Sequence, residues 1–275
     1  MNKDRNAPVG VFDSGVGGLT VAREIMRNLP AEKIVYFGDT ARVPYGSKSK
    51  DTVLRYSRQI IRFLQEQSVK AIVVACNTAS ALALSTVQKE TDIPVIGVIE
   101  AGARVAAAKT RNHRIGVIGT VATIDSGMYT RVLEELDGKI QVIGKACPLF
   151  CPLVEEGWLH DAITTSVAER YLDELKEQRI DTLILGCTHY PLIRSTIGEV
   201  MGPDVQLVNP AYETALELRG LLAAKDIQRL ESVEEEFPYR FFVSDLADKF
   251  TDFANSILPF DVSMAKKINI EKYAD

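Results

Sequence analysis

Uninterrupted apolar runs such as AIVVA (71–75) and TLILG (182–186) constrain this chain more than any other feature. A strand with one solvated face alternates apolar and polar residues, whereas a run without alternation needs burial on both faces, which a parallel sheet covered by helices supplies. Strands are predicted at Val9 to Phe12, Lys33 to Phe37, Ala71 to Ala75, Val95 to Ile99, Arg114 to Ile118, Ile140 to Ile143, Thr182 to Leu185 and Gln206 to Val208. Helix-period segments lie between them. Thr52 to Glu66, for example, carries Val53, Leu54, Ile60, Ile61 and Leu64 on one stripe. The expected class is α/β.

Two halves of the sequence echo each other. VGVFDSG (9–15) returns as IGVIGTV (115–121), with Gly10 and Gly116 standing 106 residues apart (116 − 10). VVACNTAS (73–80) returns as LILGCTHYPL (183–192), with Cys76 and Cys187 standing 111 apart (187 − 76). Any parallel α/β chain yields strands ending in glycine, but chance explains poorly a Cys followed closely by Thr at the end of both buried strands. The expected architecture is therefore two related, pseudo-symmetric lobes with the active site in the cleft between them, residues 1–97 plus 210–275 forming one and 98–209 the other. Open parallel sheets bind ligands beyond the carboxyl ends of their strands, which is where Cys76 and Cys187 stand.

Composition removes several function classes. A net charge of −5, with no Lys/Arg cluster interleaved with aromatics, excludes nucleic acid as the main partner. No apolar run approaches the roughly 18 residues of a membrane span, and MNKDRNAPVG does not resemble a signal peptide, so a cytoplasmic protein is expected. The four cysteines, Cys76, Cys147, Cys151 and Cys187, are too few and too dispersed for a disulfide framework and are expected as free thiols. There is no CxxC pair, and the CxxxC of Cys147 and Cys151 lacks a well-spaced His, so no metal is expected.

The candidate chemistry gathers at strand ends. FDSGVGGLTV (12–21) turns on glycines into a helix; its Asp13 and Ser14 are either caps of that turn or groups that meet a substrate. GDTARVPYG (38–46) is a compact loop in which Tyr45 either packs on its lobe or, with Gly46, faces a ligand. Cys76 is followed by Asn77 and Thr78, good helix caps, and Cys187 by Thr188, His189 and a Tyr-Pro helix opening. Helix amino termini are expected to depress both thiol pKa values. Either cysteine alone reads as an inert buried thiol; the matched pair does not. Thr120 and Thr123 match the Ser14 loop through the echo, as carboxylate binders or helix caps, and Glu155 and Glu156 are ambiguous, exposed helix residues being the plainer reading.

Two equivalent thiols in one cleft are superfluous for nucleophilic hydrolysis, which needs one thiol and a base. Disulfide exchange normally draws both thiols from one CxxC motif. Proton transfer across a stereocentre fits better: a thiolate takes a proton from one face of a carbon while a thiol delivers one to the other, and a reference pKa near 8.5 lets either group hold either state. Asp13 beside Cys76 and His189 beside Cys187 are the natural tuners of the pair.

FDSGVGGLTV, GDTARVPYG, VVACNTASA and LGCTHYPL together resemble the glutamate racemase family, over about Pro8 to Leu258. The resemblance implies interconversion of L- and D-glutamate without pyridoxal phosphate or metal, supplying D-glutamate to peptidoglycan and so to the cell wall, from a homodimer. By motif position Cys76 and Cys187 are implied as the acid/base residues, with Cys187 taking the α-proton of L-glutamate. Asp13, His189 and Glu155 would assist them, while Asp13, Ser14, Tyr45, Gly46, Asn77, Thr78, Thr120, Thr123, Thr188 and His189 would contact substrate. Cys151 departs from the apolar residue expected there, a departure expected to touch neither active thiol. The competing readings are a two-thiol relative acting on aspartate, a hydantoin or an arylmalonate, a non-catalytic amino-acid binder, and a redox or zinc protein.

Overall fold

The computed structural model describes residues 4–230, 238–262 and 265–274. Its strands are β1 (Val9–Asp13), β2 (Ile34–Gly38), β3 (Ala71–Val74), β4 (Val95–Gly97), β5 (Arg114–Gly119), β6 (Gln141–Ala146), β7 (Thr182–Gly186), β8 (Gln206–Val208), β9 (Tyr239–Val243) and β10 (Lys266–Lys267). They form a six-stranded sheet, β10-β9-β2-β1-β3-β4, and a four-stranded sheet, β6-β5-β7-β8, parallel throughout. The orders β2-β1-β3-β4 and β6-β5-β7-β8 are the same arrangement used twice. Two parallel sheets flanked by helices make the chain α/β.

Every residue of β1, β2, β3 and β7 is buried, as their unbroken apolar runs require. Alternate side chains enter opposite layers. Val9, Val11, Tyr36 and Val73 join one apolar cluster with helices Leu19–Asn28 and Pro210–Ala224, while Phe12, Phe37, Ile72 and Val74 join another with helix Lys50–Glu66. The second sheet is likewise covered on both faces, by clusters centred on Leu183 with Leu185 and on Val117 with Ile184.

The predicted strands all appear, with shifted ends. Val95 to Ile99 stops at Gly97 because Ile99 opens helix Ile99–Lys109. β6 runs three residues beyond Ile143, a half-exposed edge strand without a full apolar signal. β9 and β10 were not anticipated. YRFFV carries an exposed Arg240, and β10 is two exposed lysines, so neither shows an apolar run. Together they extend the first sheet beyond β2. No helix among the described residues is long and apolar enough to cross a membrane.

Candidate active site

The chain leaves β3 at Cys76 and turns at once into helix Asn77–Leu82. The sulfur caps that helix, accepting from Ala79 N at 3.5 Å and donating to Ser14 Oγ at 3.6 Å. Cys187 leaves β7 in the same way in the other sheet. Its Sγ lies 3.7 Å from His189 Nδ1, whose ring continues through Nε2 to Glu155 Oε1 at 2.8 Å. Glu155, and not Glu156, therefore completes the row. Cys76, Cys187 and His189 are all buried.

Asp13 ends β1 completely buried, with Oδ2 accepting from Gly15 N at 3.0 Å and Oδ1 without a hydrogen-bond partner among the described residues. It thus makes the turn predicted for an Asx cap and still presents one free oxygen. Burial raises its pKa, opposed by the positive charge available at His189 and by neighbouring backbone amides.

The thiol pKa values are raised rather than depressed, contrary to the sequence expectation. Burial, reinforced by the negative charge of Asp13, pushes Cys76 up to about 12 against the opposing Ala79 amide and Ser14 hydroxyl. Cys187 is pushed well above the usual thiol range by its contact with Cys151 and by burial, with His189 opposing. A short helix start acts in the expected direction but is outweighed by loss of water. For His189, burial lowers the pKa, yet the bonds to Cys187 and Glu155 reverse the sign and bring it up to about 10. Charge on Cys187 is also felt at Cys76, so the sulfurs share one electrostatic environment.

Hydroxyls from both sheets close the space between them. Thr78 Oγ1 meets Thr120 Oγ1 at 2.9 Å and Thr123 Oγ1 at 3.2 Å, and the latter two are 3.0 Å apart. Gly46 packs so tightly on Thr120 that an added Cβ would fall 2.6 Å from its Cβ. Thr188 is buried and its carbonyl accepts from Thr20 Oγ1 at 3.0 Å. Asn77 Oδ1 accepts from Tyr129 OH at 2.7 Å. Tyr129 and Thr20 escaped the sequence reading because neither sits at a strand end.

A family model for Asp/Glu/Hydantoin racemases matches residues 9–217. The chain belongs to the Asp/Glu/Hydantoin racemase family. It is 48% identical over 263 residues to the glutamate racemase of Geobacter metallireducens, covering 96% of this chain and 97% of that protein. The crystal structure of a Bacillus anthracis glutamate racemase superposes with a TM-score of 0.90 at 43% identity, covering 96% of this chain and 98% of that one. That of Francisella tularensis, in complex with D-glutamate, gives 0.90 at 39% identity over 98% and 100%.

Within this Asp/Glu/Hydantoin racemase family member, two of the sequence candidates sit differently from the rest. Tyr45 is 1% exposed, its hydroxyl bonded to buried Asp39 and its ring against Tyr56, so its side chain belongs to the first sheet's core. Asp39 also holds Arg42 and Ser244, making a structural anchor for this loop. Cys151 corrects the expectation that it touches neither active thiol: its Sγ is 3.6 Å from Cys187 Sγ. Helix Phe150–Glu155 delivers it there, four residues before Glu155 on the same helix.

Proposed function

We propose that this chain is a glutamate racemase that moves a proton across the α-carbon with two thiols. The observation that carries the reading is the pair of buried strand-end cysteines, one from each parallel sheet, each beside its own polar neighbours: Cys76 near Ser14 and Asp13, Cys187 beside His189 and Glu155. The named relatives, and the Francisella complex with D-glutamate, support glutamate as the substrate.

In this reading Cys187, as thiolate, takes the α-proton of L-glutamate and Cys76, as thiol, supplies one to the opposite face. The reverse direction exchanges the roles. Both thiols are held protonated in the ligand-free chain, Cys76 by burial and Cys187 by its contact with Cys151 and by burial. The α-ammonium of an entering amino acid supplies the positive charge that favours one thiolate, so substrate arrival itself arms the base. His189, kept protonated by its bonds to Cys187 and Glu155, stabilises the Cys187 thiolate, whose own proton leaves to solvent as the substrate is seated. Backbone amides and the Thr78, Thr120 and Thr123 hydroxyls, which meet one another at 2.9–3.2 Å, would stabilise charge on the substrate carboxylates.

The remaining expectations extend the same reading. The catalytic units are residues 1–97 plus 210–275 and residues 98–209. The protein works as a cytoplasmic homodimer supplying D-glutamate for peptidoglycan. Incubation with L-glutamate in deuterium oxide tests the chemistry: D-glutamate should accumulate with one deuteron at Cα. Absence of uptake with glutamate, in a screen that also contains aspartate, would reject glutamate as substrate. Cys76→Ala and Cys187→Ala should each lose roughly 10²- to 10⁴-fold or more in racemisation while still binding glutamate.

A further inference from the structure

Cys151, Cys187 and His189 present three ligand atoms within 4.8 Å of one another. Tetrahedral zinc, with Zn–S near 2.3 Å and Zn–N near 2.0 Å, sets its sulfurs about 3.8 Å apart and each sulfur about 3.6 Å from the nitrogen. Here the sulfurs are 3.6 Å apart, and Cys187 Sγ is 3.7 Å from His189 Nδ1. The imidazole already turns Nδ1 toward the sulfurs, because Nε2 bonds Glu155 Oε1 at 2.8 Å. A carboxylate on the far nitrogen is the outer-shell partner that orients metal-bound histidines. The sequence could not show this cluster, since Cys151 pairs in space with Cys187 rather than with its neighbour Cys147.

We propose that Cys151, Cys187 and His189 form a binding site for a thiophilic divalent cation, zinc fitting best, and that occupying it switches racemisation off. Binding exchanges two S–H bonds and the Nδ1–H bond of the His189 imidazolium for two metal–sulfur bonds and one metal–nitrogen bond, with three protons passing to the buffer and no electrons transferred. Three protein ligands leave a fourth position for water. The metal would hold the lone pair with which Cys187 is to attack the α-proton, so the ion inhibits and does not assist. Cys151 is half-buried where its two partners are buried, and Glu155 lines a surface groove with Gly15, Val16, Leu192 and Phe253, which gives the ion an approach.

Metal binding does not depend on the racemase reading; the inhibition does. The full chain, kept reduced with a phosphine that does not bind metal, is dialysed against buffered Zn²⁺ and, separately, titrated with Co²⁺. One ion per chain and a thiolate-to-cobalt charge-transfer absorption are expected, together with loss of racemisation that a chelator restores. Cys151→Ala, measured against its own metal-free rate because Cys151 touches Cys187 Sγ, should lose the absorption and lose zinc sensitivity by more than the roughly 100-fold that removal of an outer-shell partner costs. Cys151→Val, which keeps the side-chain volume, serves if the alanine variant melts early. Metal retention by either variant equal to that of the parent chain, or no retention by the parent, overturns the site. Dialysis and cobalt absorption report binding even in a chain that racemises nothing, so the two failures are distinguishable.

Discussion

Replacing Gly17 with alanine isolates the precision with which the two sheets meet. Gly17 lies in the loop between β1 and helix Leu19–Asn28, and it is not among the residues with positive φ, so its backbone admits alanine. The obstacle is space. A Cβ there would sit 2.4 Å from Thr188 Oγ1 and 2.6 Å from both Cε1 and Nδ1 of His189, whereas ordinary contact begins at 3.4 Å. Thr188 and His189 must therefore retreat by about 0.8 to 1 Å, or the loop must do so. A 1 Å misplacement of a catalytic group costs on the order of 10²-fold, about 2.7 kcal/mol of barrier. Circular dichroism of glutamate, started from each enantiomer, should give kcat/KM lower by about that factor in both directions, with the melting midpoint within a few degrees of the parent. Gly220→Ala, in helix Pro210–Ala224 with nothing within 4 Å of its new Cβ, should instead stabilise by roughly 0.5–1 kcal/mol with unchanged kinetics. A Gly17→Ala chain within about threefold of the parent would refute the claim that His189 must be held against this loop.

Glu155→Gln removes the carboxylate that helps raise His189 to about 10. A histidine whose folded pKa lies above its unfolded value near 6.5 adds stability that is complete below 6.5 and fades as pH rises through the folded value. The parent should keep this contribution to about pH 10, while in Glu155→Gln the fading and the His189 NMR titration should both begin at lower pH. Lys70 and Glu32 form a fully buried ion pair at 2.5 Å, with Lys70 also donating to Arg5 O and Glu32 accepting from Arg229 N. Lys70→Met strands the carboxylate and should cost roughly 3–5 kcal/mol, lowering the thermal midpoint by 6 °C or more at about 2–4 °C per kcal/mol. Tyr129→Phe leaves buried Asn77 Oδ1 without its 2.7 Å donor and should cost about 1–3 kcal/mol by thermal melting.

The parallel sheets were legible because their signal is local: buried strands need unbroken apolar runs, and β1, β2, β3 and β7 have them. β9 was hidden because Arg240 breaks its run at an exposed position, and β10 because two lysines carry no burial signal. The positions of Asp13, Cys76 and Cys187 at strand carboxyl ends were legible, because strand order alone fixes that edge, the one open parallel sheets give to ligands. Contacts made across the sheets were not legible. Nothing in a sequence aligns Tyr129 with Asn77 or brings Cys151 onto Cys187, since both pairings depend on how two independently wound sheets dock. The same limit explains the failure at the thiol pKa values: helix starts can be read from Asn77 and Thr78, but the depth of burial that outweighs them cannot.

That burial has a mechanistic consequence. An open cleft would let water stabilise the thiolate and give a base ready at neutral pH, but water would equally screen the charge that must develop on the substrate carboxylate. Burial, joined at Cys187 by the Cys151 contact, keeps Cys76 and Cys187 protonated and makes every charge brought beside them count for more. On the proposed reading glutamate brings one ammonium and two carboxylates, so the balance among Asp13, His189 and the two sulfurs changes once it is seated. A chain built in this way should show little thiolate absorbance when free and gain it on binding glutamate. Cys76→Ala and Cys187→Ala should divide that gain, because whichever sulfur remains is the one the bound ammonium can ionise.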